Sequence, residues 1–166
     1  PSGRRCPPTA TVFNCFVNLP GPPTGAGPMK EGPVMNNNQI LAAVHTPDAP
    51  AAIGPYSQAV KAGDTLYISG QIPLCPATGK IVGETTAEQA EQVFKNLSAI
   101  LEEAGMTFDN VVKATVLLTD IADFAAVNEV YAKYLNSETL PARAAFAVKA
   151  LPAGAKVEIE MVAYGG

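Results

Sequence analysis

Histidine, cysteine and basic residues are scarce in this chain, and each scarcity removes a class of function. His45 is the only histidine, which removes most His-based triads and the whole H-E-x-x-H class of metal sites. Cys6, Cys15 and Cys75 are too few and too scattered for a disulfide framework, and none forms the C-x-x-C pair that would suggest zinc. Reduced thiols in an intracellular compartment are the expectation. Eleven Lys and Arg face fifteen Asp and Glu, for a net charge of −4, which argues against a surface built to coat nucleic-acid phosphates. No run of 18 or more apolar residues appears, so no membrane-spanning helix is expected. There is no G-x-G-x-x-G and no G-x-x-x-x-G-K-[ST], so neither a dinucleotide fold nor a P-loop is supported. No metal and no organic cofactor is expected.

What is present divides into two regions. Residues 1–34 hold eight of the fifteen prolines and five of the fourteen glycines. Proline and glycine at that density cannot sustain helices or sheet ladders, nor bury enough apolar surface to offset ordering entropy. Residues 1–35 therefore read as a disordered Pro/Gly-rich extension. A transit peptide would share its poverty in acids but be richer in Ser and Arg; Met35 is an alternative start. The expected location is cytoplasmic, with a plastid or mitochondrion as the alternative if residues 1–34 are a transit peptide. Residues 36–166 have the length and the apolar content of one domain with a real core.

Within that domain, HTPDAPAAIGPYSQ reads as an irregular lead-in. SQAVKAGDTLYISG predicts two short strands around a Gly63-Asp64 turn, with Leu66 and Ile68 on one face. QIPLCPATGKIVG is a loop. TTAEQAEQVFKNLSAILEEAG is the clearest helix, its Ala90, Val93, Phe94, Leu97, Ile100, Leu101 and Ala104 recurring at helical spacing. Thr85 and Glu88 form a capping box, and Gly105 ends the helix. VVKATVLLT (111–119) predicts a central buried strand. TDIADFAAVNEVYAKYL predicts a second helix with Phe124, Val127, Val130, Tyr131 and Tyr134 on one stripe. Residues 142–150 and 155–163 predict two more strands joined by a Leu151–Gly154 turn. In the last strand Val157, Ile159, Met161 and Ala163 alternate with Lys156, Glu158 and Glu160. The order ββαβαββ gives an α+β domain, a mixed sheet with two helices on one face. The other face is partly apolar and has no helix left to cover it, so self-association there is expected.

Arg143 is the only arginine after residue 5, set among alanines. A guanidinium fork suits a substrate carboxylate; the competing reading is a structural pair with Glu158 or Glu160 at a subunit contact. Glu158 is either a solvated outward position or a carboxylate that orients or deprotonates water. Burial would raise its pKa and a nearby Arg143 would lower it. Tyr56 sits in a loop, where an aromatic packs more often than it reacts. Ser69 has no evident base and is discounted as a nucleophile; Gly70 beside it allows close backbone approach. His45 reads as a solvent-facing loop residue and Cys75 as an inert loop thiol. Asn96-Leu97-Ser98 matches a glycosylation acceptor but falls inside the first helix.

GPYSQAV, YISGQIP, the P-x-TG turn at Pro76–Gly79, VVKATVLLTD, FAAVNEVYAKY, LPARAAF and AKVEIEMVA, in that order, resemble the Rid (reactive intermediate deaminase, formerly YjgF) family from about Thr46 to Tyr164. The resemblance implies a chorismate-mutase-like fold and a homotrimer with active sites in clefts between subunits. It implies hydrolysis of 2-aminoacrylate, 2-aminocrotonate and their 2-imino acids to 2-keto acids and ammonia, as 2-iminobutanoate/2-iminopropanoate deaminases do. By motif match, Arg143 takes the carboxylate and Glu158 stands near the attacking water. Tyr56, Ser69, Gly70 and Asn128 line the pocket. Ala145 stands where the family often has cysteine, which sets aside thiol-based regulation there. Two rivals remain: an endoribonuclease or translation inhibitor, and a non-catalytic ligand-binding or chaperone-like trimer.

Overall fold

A computed structural model describes residues 41–165. The expected extension at 1–35, the first residues of the expected domain at 36–40, and Gly166 lie outside the described residues. Six strands form one sheet in the order β1-β2-β3-β6-β4-β5: β1 Ala42–Val44, β2 Ala59–Ala62, β3 Thr65–Gln71, β4 Val111–Leu118, β5 Ala142–Ala147 and β6 Val157–Tyr164. Helices α1 (Thr86–Glu103) and α2 (Phe124–Tyr134) connect β3 to β4 and β4 to β5. The expected α+β class, with a mixed sheet and two helices, is the observed one.

β6 explains the mixture. It runs antiparallel to both β3 and β4, while β4 and β5 pair in parallel, as strands joined by a crossover helix must. Val157, Ile159, Met161 and Ala163 point into the core, all at most 1% exposed. α1 closes that face with Ala90, Val93, Phe94, Leu97, Ile100 and Leu101, each wholly buried, and each large apolar side chain contributes about 1.5–3 kcal/mol. The capping box is formed as expected: Glu88 N–H donates to Thr85 Oγ1 and Thr85 N–H to the Glu88 carboxylate. Gly105 follows with a φ of 73°, the left-handed end that glycine tolerates.

Three expectations need correction, and one strand was not expected. That strand, β1, stands just ahead of the irregular lead-in at the sheet edge, and its three residues pair with β2; so short a segment carries no periodicity of its own and is strand only because β2 offers a ladder. β4 is interior to the sheet but covered on one face: Val111, Ala114, Val116 and Leu118 are buried while Val112 and Lys113 are exposed. Its unbroken β-branched text therefore overstates its burial. The second helix begins at Phe124, after a separate 3-10 turn at Ile121–Asp123 capped by Asp120, whose carboxylate accepts from Ala122 N–H. β5 ends at Ala147, short of the expected residue 150, and pairs with β4.

Candidate active site in two halves

The residues singled out in the sequence fall into two groups on opposite faces of the sheet. In register, Arg143 pairs with Ala114 and Glu158 with Leu117. Those partners stand three positions apart along β4, so strand alternation sends the two side chains to opposite sides. Ala114 is wholly buried, which puts Arg143 on the helix face, at the outer strand beside α2. Glu158 is on the face that no helix among the described residues covers.

The first group surrounds a cavity of about 330 Å³ lined by Pro50, Ile53, Tyr56, Ser69, Gly70 and Glu158, with further contributions from Gln58 and Leu74. β3 and β6 slip by one residue between Ile68 and Gln71, and such a bulge re-aims the side chains around it. Here it brings Gly70 against the Glu158 carboxylate. A Cβ on Gly70 would collide with Glu158 Oε1 and stand 2.9 Å from its Cδ, so a side chain there would push the acid aside. Burial pushes the Glu158 carboxyl above the usual carboxylate range, and the nearby Glu160 adds to the effect. Between the two influences weighed from sequence, burial prevails within one subunit, because Arg143 is on the far side of the sheet. Ser69 Oγ donates to Ser57 O at 2.7 Å, in keeping with its dismissal as a nucleophile. Tyr56 is half exposed, its hydroxyl accepting a long 3.4 Å bond from Ile53 N–H.

Gln58 was not singled out by sequence reasoning and holds this wall together. It is buried, and its Nε2 donates to the carbonyls of Thr46, Ala49 and Pro50 while its Oε1 accepts from Thr46 N–H and His45 Nδ1. The irregular lead-in is thereby tied to β2. His45 is exposed, as expected, but bonded. Asn96, wholly buried in α1 and closed to glycosylation, donates to Ile72 O and Leu74 O behind the cavity.

The second group gathers at Arg143. Nη1 donates to Asn128 Oδ1 at 2.7 Å, and the guanidinium lies over the rings of Tyr131 and Phe124, 4.6 and 5.4 Å from their centroids. Ala145 and Ile121 line the open pocket beside it. Within the subunit neither Glu158 nor Glu160 pairs with Arg143, and the ion pair found among the described residues is Lys133 with Glu91. Tyr56, Ser69, Gly70 and Glu158 are thus brought together, as are Arg143, Asn128 and Ala145, but one chain does not bring the two sets to each other. Among the described residues no group of three His, Cys, Asp or Glu is placed to hold a metal ion.

Comparison with known proteins matches residues 46–165 to the family model described as Endoribonuclease L-PSP. A human 2-iminobutanoate/2-iminopropanoate deaminase is 54% identical over 127 residues, covering 76% of this chain and 92% of that one. The chloroplastic Reactive Intermediate Deaminase A of Arabidopsis thaliana is 51% identical over 120 residues, 72% of this chain and 64% of that one. The crystal structure of Escherichia coli TdcF with bound serine superposes with a TM-score of 0.72 at 40% identity, covering 75% of this chain and 99% of that one. The chain belongs to the Endoribonuclease L-PSP family, the Rid family that its motifs resemble.

Proposed function

We propose that residues 36–166 form an enamine/imine deaminase that hydrolyses small 2-imino acids to 2-keto acids and ammonia in a homotrimer. The observation that carries this reading is the division of the site: a charge clamp on one face and an acid of raised pKa on the other. Seating the β5–α2 edge of one copy on the uncovered face of the next would set one subunit's Arg143 opposite the partner subunit's Glu158. That arrangement gives both half-sites a use and covers the partly apolar face in one step.

The chemistry follows from the parts. Arg143 fixes the substrate carboxylate and so orients the adjacent C=N carbon. The protonated imine is already electrophilic. Glu158 takes a proton from water as the oxygen adds to that carbon, giving an amino alcohol, and returns it to nitrogen. The C–N bond then breaks, the hydroxyl proton leaves with the nitrogen as ammonium, and the 2-keto acid remains. A raised pKa makes the ionised carboxylate a better acceptor for that proton. Tyr56, Ser69 and Gly70 line the acid's side, Asn128 and Ala145 the clamp's. Backbone groups near Gly70 and 143–145 are assigned to the departing nitrogen. The human relative bears the deaminase name, and the bound serine of TdcF is itself a small carboxylate. No step needs a metal or organic cofactor. The proposed compartment is the cytoplasm, with a plastid as the rival because the Arabidopsis relative is chloroplastic.

The test is coupled turnover: threonine dehydratase generates 2-aminocrotonate while semicarbazide competes for it. The wild type is expected to divert the intermediate to 2-ketobutyrate and Arg143→Ala to leave it to the scavenger; equal diversion by both would defeat the reading. The nuclease in the family model's description is set against a net charge of −4. Salt-sensitive RNA cleavage that survives Arg143→Ala would favour that reading instead.

A further inference from the structure

Arg143 is exposed, and a long side chain on an outer strand ordinarily samples several rotamers. Here one stripe of α2 immobilises it. Phe124, Asn128 and Tyr131 stand four and then three residues apart, the spacing that stacks side chains on one helix face. The Tyr131 ring is itself held, T-shaped with Phe94 at 5.8 Å and 83°, and Phe94 in turn is stacked on Tyr134 at 4.7 Å. The face of Tyr131 is turned to the guanidinium 4.6 Å away. Its hydroxyl is sealed from solvent without a hydrogen-bond partner among the described residues, an arrangement that disfavours the site on hydrogen-bonding grounds. What the residue contributes to the site is its ring.

We propose that Tyr131, assisted by Phe124, is a positioning residue: its ring face and Asn128 together seat the Arg143 guanidinium so that its remaining N–H donors are presented to a carboxylate. The inference rests on the reading of Arg143 as the carboxylate clamp. A cation is drawn to the electron-rich face of an aromatic ring, so the hold depends on ring electronics as well as on shape. Asn128 fixes rotation within the plane and the rings fix the plane itself. The bidentate geometry is then set before the substrate arrives, which lowers the ordering cost of binding.

The experiment replaces Tyr131 by Phe and then by phenylalanines carrying one, two, three and five ring fluorines, which drain the ring face while nearly preserving its shape. The readouts are calorimetric affinity for 2-ketobutyrate, KM and kcat for 2-iminobutanoate, and Tm. Tyr131→Phe is expected to keep most of the affinity. Along the fluorine series affinity should fall steadily, by about 3- to 30-fold in all, with KM rising in step while kcat and Tm hold. Phe124→Leu, with the more distant ring, should lose about 2- to 5-fold. Affinity that stays level along the series, or falls only as Tm falls, would overturn the proposal. A wild type that binds 2-ketobutyrate with this ring dependence but turns over no imino acid would defeat the deaminase reading and leave the seat standing.

Discussion

The two faces of the sheet handle charge in opposite ways. On the helix face, Arg143 lies in the open but is held by Asn128 and two aromatic rings, so its charge is kept and its orientation is fixed. On the uncovered face, Glu158 is half-buried against Gly70 with no cation beside it among the described residues of its own subunit, so its charge is disfavoured there. Under the proposed function Arg143 is the clamp and Glu158 the proton acceptor. On that reading the difference gives each subunit two unlike half-sites, each suited to one partial task.

The sharpest way to break this comparison is Glu158→Gln. It keeps the shape of the acid's half and removes its proton chemistry, and kcat is expected to fall about 100- to 10,000-fold. Affinity for 2-ketobutyrate should hold. Normal turnover in this variant would take Glu158 out of the mechanism. Arg143→Ala should do the reverse, lowering kcat/KM by about 30- to 1,000-fold with most of the loss in carboxylate binding, measured by calorimetry beside steady-state kinetics. Gly70→Ala inserts a methyl where the Glu158 carboxylate lies; the displaced acid should cost about 10- to 100-fold in kcat and leave the clamp's half intact.

The smallest effect is on stability and concerns pH. The Glu158 carboxyl is raised in the folded protein, so the folded state binds its proton more tightly than the unfolded chain does. The protonated acid therefore favours folding at low pH, and that contribution is lost as pH rises through the raised pKa. Glu158→Gln cannot ionise, so its Tm relative to wild type should be higher at pH 7 than at pH 4. A difference that does not change with pH would show that burial does not govern this charge in the assembled protein, as when the partner subunit's Arg143 offsets it.

The fold was largely legible because its strongest signals are local. The helical recurrence from Ala90 to Leu101 and the alternation from Val157 to Ala163 each report their own burial. The Thr85–Glu88 box and Gly105 mark boundaries by backbone chemistry alone. β1 was not legible, since three residues of Ala and Val become a strand only through a neighbour. Arg143 and Glu158 could be picked out as chemically unusual, one a lone guanidinium among alanines and the other an acid in an apolar strand. That they face opposite ways depends on β4 pairing with both β5 and β6, a register that no single segment encodes. Gln58 was missed for the same reason: five polar partners from a distant loop give it its place, and its identity alone says nothing of them. Phe124 and Tyr131 were read as core by their spacing, which is correct for their packing and silent about the cation above them.

The most direct test of the divided site is complementation between two inactive variants. Arg143→Ala and Glu158→Gln would each be purified, unfolded and refolded together in equal amounts, then assayed on 2-iminobutanoate. In a mixed cyclic trimer one of the three clefts pairs an intact Arg143 with the partner subunit's intact Glu158, so random assembly should restore about a quarter of wild-type activity. Recovery near that level, absent when either variant is refolded alone, is the result expected if two subunits share each site. Mixed trimers that remain as inactive as the separate variants would contradict it.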